Sequence, residues 1–348
     1  MRGSGEAATL RIMARTLRGL AFALALGAWS PPVGAEPPLL GLPADCEPGR
    51  TCWLVNLFDH DPGAGTRDYA CGDKTYDGHD GTDLALRDLA EMARGVAVLA
   101  AAQGRVLRVR DGEADHDGSP QSLRGVAGRE CGNGVVIDHG DGWETQYCHL
   151  RQGGILVRPG AVVARGDRLG FVGMSGRTEF PHVHVALRRN GKEIDPFVGG
   201  TEAQAPGECG LGAHPAWRDD TLRVLDYRTG MLFNRGFATG TPDPEDMRKG
   251  RYAADRLPLD APALVLWFEL FAPRLGDTVA FSIIDPVDRV VFEQRKMIER
   301  DQARLYVFGG RRRPGTGWPA GRYVGRIDVI PGTAHTRPQS TEITVDLQ

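Results

Sequence analysis

The chain has 348 residues, with 42 basic and 45 acidic side chains and a formal net charge of -3. Hydrophobic residues make up 41% and charged residues 25%, a globular balance in a chain long enough for two domains. That near-neutral charge offers no electrostatic case for nucleic-acid binding, which shows as a basic patch or a high pI.

Taken in chain order, Arg11, Arg15 and Arg18 precede an apolar run from Leu20 to Trp29. Pro31 and Pro32 end the run, and Val33-Gly34-Ala35 offers small residues for cleavage. This is the order of a secretory signal, and the run is too short to span a bilayer. We therefore expect residues 1–35 to be a signal peptide and the mature chain to be exported, to the periplasm or as a secreted protein. No other segment is apolar enough to span a membrane. The six cysteines, Cys46, Cys52, Cys71, Cys131, Cys148 and Cys209, all follow that segment. An even count in an exported chain points to disulfides, whose pairing the sequence does not dictate. Cys46 and Cys52 flank a Pro-Gly turn and make the simplest small loop.

Residues 36–45 are Pro-rich and read as an extended lead-in. From Cys46 to Phe197 the sequence is Gly-rich with short β-type runs at 96–100, 105–110, 135–139, 145–150, 168–172 and 182–187. Asp141-Gly142 between two of them is a strong hairpin signal. Only Leu84 to Arg94 reads as helical, and 111–130 reads as a polar inserted loop. We expect a compact antiparallel β-sheet domain over 36–200, a linker over 201–220, and a second domain over 221–348. There β-type runs recur at 263–271, 278–284, 289–292, 304–308, 323–330 and 341–347, which suggests a small immunoglobulin-like β-sandwich. The fold class expected is mostly β.

Four of the nine histidines fall in three short segments: Gly78-His79-Asp80-Gly81-Thr82-Asp83, Tyr147-Cys148-His149-Leu150 and Pro181-His182-Val183-His184. In a straight strand His79 and Asp83 would lie ~13 Å apart, too far to share a metal. Gly78 and Gly81 permit a bend that brings them together. Imidazole nitrogen and carboxylate oxygen are both ordinary zinc ligands. His182 and His184, two apart in a β-type run, share one face, while Val183 and Val185 face a core. Two histidines buried on a sheet face need a partner, which a metal supplies. By the same alternation Cys148 points away from His149 and reads as an oxidised structural cysteine. His60, His116, His139, His214 and His335 carry no constellation. A serine hydrolase is the weaker reading, because Gly173-Met174-Ser175-Gly176 lacks the Gly-x-Ser-x-Gly spacing.

These segments, with Gly132-Asn133-Gly134-Val135-Val136-Ile137-Asp138-His139-Gly140 and Gly170-Phe171-Val172-Gly173, resemble the lysostaphin/LytM-type zinc endopeptidases in order and spacing over about 76–197. The resemblance implies one Zn2+ per chain held by His79, Asp83 and His184. It implies that His149 and His182 serve catalysis, and that the substrate is the peptide part of bacterial peptidoglycan. One departure stands out: the family often carries Glu two residues after the last histidine, where this chain has Ala186. The rival expectation is a non-catalytic regulator that binds and activates another cell-wall hydrolase. For the C-terminal domain we expect an accessory role, binding cell wall or a protein partner.

Overall fold

The computed structural model describes residues 36–199, 208–332 and 337–348, together with Met1 and Gly3. The expected signal peptide and His335 lie outside the described residues. The chain is mostly β with several antiparallel sheets, as its pattern of short apolar runs and Gly turns predicts.

The first half holds ten strands: β1 (Cys52–Asn56), β2 (Thr82–Leu86), β3 (Ala97–Leu99), β4 (Gly104–Arg110), β5 (Asn133–Gly140), β6 (Trp143–Leu150), β7 (Val162–Val163), β8 (Arg168–Phe171), β9 (His182–Arg189) and β10 (Lys192–Ile194). The large sheet runs β1-β2-β9-β6-β5-β4-β7, with β10 paired to β9. β3 and β8 form a separate ladder. Asp141 and Gly142 both take positive φ, 50° and 79°, so the expected hairpin closes with the twist its strands require. Leu54, Leu84, Leu86, Val183, Val185, Tyr147, Val135 and Ile137 point from one face of this sheet into a single core.

The helix expected over 84–94 is shorter than its sequence suggests. Thr82–Leu86 is a fully buried strand, and the helix covers only Leu89–Arg94. Asp88 starts it by accepting from the backbone N–H of Glu91. Pairing of β2 between β1 and β9 outweighs the helical preference of Leu and Ala at 84–86.

Of the expected linker, 201–207 lies outside the described residues. The remainder packs on the first half: Ala216 and Trp217 join its core, and Leu40 bridges to Trp217. A short helix at Asp219–Val224 follows, and Leu225 closes on the same core. No helix among the described residues is long and apolar enough to cross a membrane.

The second half holds β11 (Met231–Ala238), β12 (Arg256–Leu257), β13 (Ala263–Phe271), β14 (Thr278–Ile284), β15 (Val290–Met297), β16 (Arg304–Arg312), β17 (Gly321–Ile330) and β18 (Gln339–Leu347). One sheet is β11-β13-β16 and the other β12-β18-β17-β14-β15. Leu266, Phe268 and Leu270 of the first meet Phe281, Ile283, Tyr323 and Ile327 of the second in one core, which makes this half a two-sheet sandwich. Lettering the seven longer strands A to G puts A-B-E against D-C-F-G. A constant-type immunoglobulin domain instead places A-B-E-D against C-F-G.

Three disulfides are formed, all closed in the first half or its border: Cys46–Cys52, Cys71–Cys209 and Cys131–Cys148. The first is the small loop expected from the Pro-Gly turn. The second ties residue 209 back across a separation of 138 residues and so fixes the chain just before the second half.

Candidate metal centre

Strand register assembles the site. Asp83 on β2 lies opposite His184 on β9, and Ala85 lies opposite His182. On the other side of β9, Cys148 on β6 lies opposite His184, and His149 is the next residue along. The central strand β9 thus presents His182 and His184 on one face, while Val183 and Val185 are buried in the core behind. His79 enters from the loop before β2. Gly78 takes φ +74° there, as the expected bend needs. Gly81 plays a different part. A Cβ on it would fall 2.7 Å from the His184 ring and 2.6 Å from the Val185 carbonyl, so it is glycine to leave room. His149 has φ +63°, which turns its ring out of regular alternation and toward the other histidines.

His79 Nε2, Asp83 Oδ1 and His184 Nδ1 converge. The three separations are 3.1 Å between the imidazoles, 3.2 Å from His79 to Asp83 and 2.9 Å from His184 to Asp83. Donors about 2.0–2.1 Å from a tetrahedral ion lie ~3.3 Å from one another, so the triangle has the edge such an ion requires. Each donor is fixed from behind. His79 Nδ1 donates to the Leu57 carbonyl at 2.6 Å, which leaves the Nε2 lone pair facing the centre. His184 Nε2 donates to Asp80 Oδ1 at 3.1 Å, which leaves Nδ1 facing it. Asn56 Nδ2 donates to Asp83 Oδ2 at 2.8 Å, so Oδ1 is the free oxygen. Such outer partners are how proteins set the tautomer and aim of metal-binding histidines. Among the described residues this is the one group of three close His, Cys, Asp or Glu donors found buried.

The remaining two histidines follow the same rule. His149 Nδ1 is 2.8 Å from the Ser175 carbonyl, and His182 Nδ1 is 3.0 Å from the Phe180 carbonyl. Their Nε2 atoms therefore carry lone pairs. The His149 and His182 ring centres are 4.6 Å apart, and His182 Nε2 lies 3.5 Å from Asp83 Oδ1. Burial pulls both below the usual histidine range; the other histidines add to this for His149, while Asp83 opposes it for His182. Burial would raise Asp83, but His79 and His182 beside it hold it well below the usual carboxylate range. Burial likewise lowers His184, yet hydrogen bonds to Asp80 and Asp83 outweigh it and hold it at about 9. Several buried donor atoms aimed at one point are costly unless a cation occupies that point.

All five residues expected at the site are thus brought together. Three contributors escape sequence reading: Asp80, Asn56 and Thr178. Asp80 is visible as a carboxylate next to His79, but its partner is His184, which only the β2–β9 register brings near. Asn56 sits on a strand with no motif. Thr178, whose hydroxyl is 3.0 Å from His182 Nδ1, lies in a turn whose path the sequence does not fix. The glutamate that the resembling family often places after its last histidine is Ala186 here, and the carboxylate at the outer nitrogen of His184 comes from Asp80 instead. His60, His116 and His139 make structural hydrogen bonds away from the centre. His60 pairs with Asp195 at 2.7 Å, and His116 reaches the Gly176 carbonyl at 2.6 Å. His139 is half-buried between Gln103 and Thr145. Ser175 is wholly buried, accepting from Asn133 and donating to the Leu150 carbonyl, so it offers no nucleophile.

Part of this chain is similar to known peptidases. Residues 77–196 match the model of Peptidase family M23. A stretch of 64 residues is 44% identical to part of the peptidoglycan DD-endopeptidase ShyA of Vibrio cholerae, covering 18% of this chain and 14% of that protein. A stretch of 65 residues is 40% identical to part of the DD-carboxypeptidase/endopeptidase Mpg of Neisseria meningitidis, covering 19% and 14%. The chain thus spans about one seventh of the length of these relatives. A solved zinc-containing peptidase from Vibrio cholerae is similar over 46% of this chain and 39% of its own, with 24% identity and a TM-score of 0.32. The matched stretch contains every residue of the centre except Asn56 and Leu57, and residues 77–196 of this chain form a peptidase family M23 domain.

Proposed function

We propose that the chain is an exported, zinc-dependent endopeptidase that hydrolyses peptide stems or cross-links of bacterial peptidoglycan. The observation that carries this is the convergence of His79, Asp83 and His184 on one point, with the Nε2 lone pairs of His149 and His182 beside it. The substrate class rests on the matched relatives, one named a peptidoglycan DD-endopeptidase and the other a DD-carboxypeptidase/endopeptidase. Export rests on the sequence of residues 1–35 and on three disulfides, which persist in oxidising compartments.

His79 Nε2, Asp83 Oδ1 and His184 Nδ1 would hold the ion, a set of nitrogen and oxygen donors that suits zinc. When bound, zinc acts as a Lewis acid that polarises a carbonyl and lowers the pKa of water to about 7. The protein's own part is proton handling. His149 and His182 are neutral near pH 7 because burial lowers them, so each Nε2 can accept a proton. One takes the proton of the attacking water as the C–O bond forms. The protonated ring then gives it to the amide nitrogen as the C–N bond breaks. The carbonyls of Ser175 and Phe180 keep each Nδ1 protonated throughout and so prevent the rings from rotating away. With no glutamate among the described site residues positioned as base, a histidine must fill that role.

Incubating the mature chain with purified peptidoglycan, with and without a chelator, tests this reading. Soluble peptide-linked fragments should appear, cease with chelator and return with added Zn2+. A chain that binds zinc and peptidoglycan yet releases nothing would instead be the regulator.

A further inference from the structure

The sandwich half packs on the site face of the large sheet through Met231, Phe233 and Phe271. On the site face of the large sheet, Trp53, Val55 and Ala85 continue the surface that carries Asp83, and Met231, Phe233 and Phe271 of the sandwich bury them. Phe180 packs at the edge of this cluster. Its ring centre lies 5.7 Å from that of Phe271, edge-on, and 4.8 Å from that of His182. Behind Phe271 the series continues to Phe233 at 4.8 Å and Trp53 at 5.1 Å. These are the spacings at which aromatic pairs hold one another's orientation.

The same short segment grips His182 through its polar atoms. The Phe180 carbonyl and the Thr178 hydroxyl each lie 3.0 Å from His182 Nδ1. Thr178 Oγ1 also bonds the Phe180 carbonyl at 2.6 Å and its N–H at 3.3 Å. Residues 176–181 belong to no helix or strand; hydrogen bonds to His116, Glu130 and Leu86 hold the segment at Gly176, Arg177 and Pro181. Between those points the contact with the second half is the Phe180 ring, clasped between His182 and Phe271 of the sandwich. The metal donors are held differently: His79 by Leu57, Asp83 by Asn56 and His184 by Asp80, none of them in the sandwich.

We infer that the C-terminal half is a brace for the catalytic histidine: Phe271, acting through Phe180, holds residues 178–180 against His182 and so fixes its Nδ1–H tautomer and the aim of its Nε2. Phe180 and Phe271 are positioning residues. The inference rests on the proposed role of His182. It gives the sandwich a task inside the enzyme that requires no cell-wall or protein partner.

The brace separates turnover from metal binding. We would compare the full-length chain with Phe180→Ala, Phe180→Tyr, Phe271→Ala, Phe271→Leu and the Phe180→Ala/Phe271→Ala double variant. Bound zinc, kcat and KM on a purified cross-linked muropeptide, and the ring 15N resonances of His182 would be read for each. A misplaced catalytic group costs about 10²-fold. Phe180→Ala should therefore lower kcat by about 10²-fold with zinc retained and KM little changed. Phe180→Tyr should keep activity. The double variant should be no worse than Phe180→Ala, since both changes cut one linkage. In the 15N spectrum, His182 should pass from a fixed Nδ1–H tautomer to exchange between tautomers in both alanine variants. Phe271→Leu, which keeps most of the core volume, covers the case in which Phe271→Ala does not fold, and should show the same tautomer exchange more weakly. An unchanged His182 tautomer in Phe180→Ala and Phe271→Leu would overturn the brace, as would multiplicative losses of kcat in the double variant. The nitrogen spectrum reads the brace even if the wild-type chain digests nothing, a result that would sink the proposed activity alone.

Discussion

The two halves of the molecule bury charge for opposite ends. In the sandwich, Glu269 is fully buried on β13, and every one of its oxygens is answered: Oε1 by Arg304 at 2.7 Å and Oε2 by Asn234 at 3.1 Å. The Arg304 guanidinium also lies over the rings of Phe233, Phe271 and Tyr306. In the first half, His79, Asp83, His149, His182 and His184 are nearly as buried, but their partners occupy only their outer atoms. The inner atoms all face one place. Buried polar groups that are fully paired hold a fold together; buried lone pairs left over at a common point mark a site that binds something.

That contrast can be broken, starting with the largest effect. His182→Ala and His149→Ala should each keep bound zinc and lose about 10²–10⁴-fold in kcat, read from muropeptide release. His79→Ala should lose both metal and turnover. Loss of zinc in His182→Ala would merge the two roles that the geometry separates. Next comes the paired charge of the sandwich. Arg304→Ala leaves the buried Glu269 charge with no cation and only Asn234 as partner, and should cost about 3–5 kcal/mol in urea unfolding. Its zinc affinity per folded molecule should not change; a change would mean that this ion pair, too, serves the site.

Asp80 should give a smaller effect. Its carboxylate is half-exposed but orients His184, so Asp80→Asn should weaken zinc binding about 10- to 100-fold in a chelator competition, with stability nearly unchanged. Unaltered zinc affinity would show that the Val185 and Gly81 packing around the ring suffices. A pH effect arises at the border of the halves. Burial pulls Lys74 down to about 7, against the pull of Asp68 and Asp226, while its ammonium donates to the Arg228 carbonyl at 3.1 Å. The folded chain therefore sheds this proton at lower pH than the unfolded one. Between about 7 and the unfolded value of 10.5 the unfolded state binds the extra proton, so stability from this group rises with pH and is least below 7. Lys74→Met should remove a slope of about 1.4 kcal/mol per pH unit in that window, seen by comparing urea midpoints at neutral and alkaline pH.

How much of this is legible in the sequence depends on where the information lies. β13 and β14 fall at the residues expected, because apolar alternation bounded by turns is a local signal. The three histidine segments are legible too, since His-x-His on a strand fixes a shared face. β1, β2 and β11 are strands that the expected runs do not include. Thr82–Leu86 runs into Leu89–Arg94 without a turn residue and looks like one helix. Asp88, followed three residues on by Glu91, is the available sign that the helix begins later. Pairings such as Asp83 with His184 depend on register between distant strands, which no local pattern carries. For the same reason the packing of Trp217 into the first core, and of Phe180 on Phe271, is invisible in the sequence.

Everything turns on what His79, Asp83 and His184 hold. A crystal of the zinc-loaded chain, measured on both sides of the zinc absorption edge, answers this directly. The account predicts one anomalous peak per chain, bonded to His79 Nε2, Asp83 Oδ1 and His184 Nδ1 and not to His149 or His182. A peak ligated by other residues, or no peak at this centre in a chain that digests peptidoglycan, would contradict it.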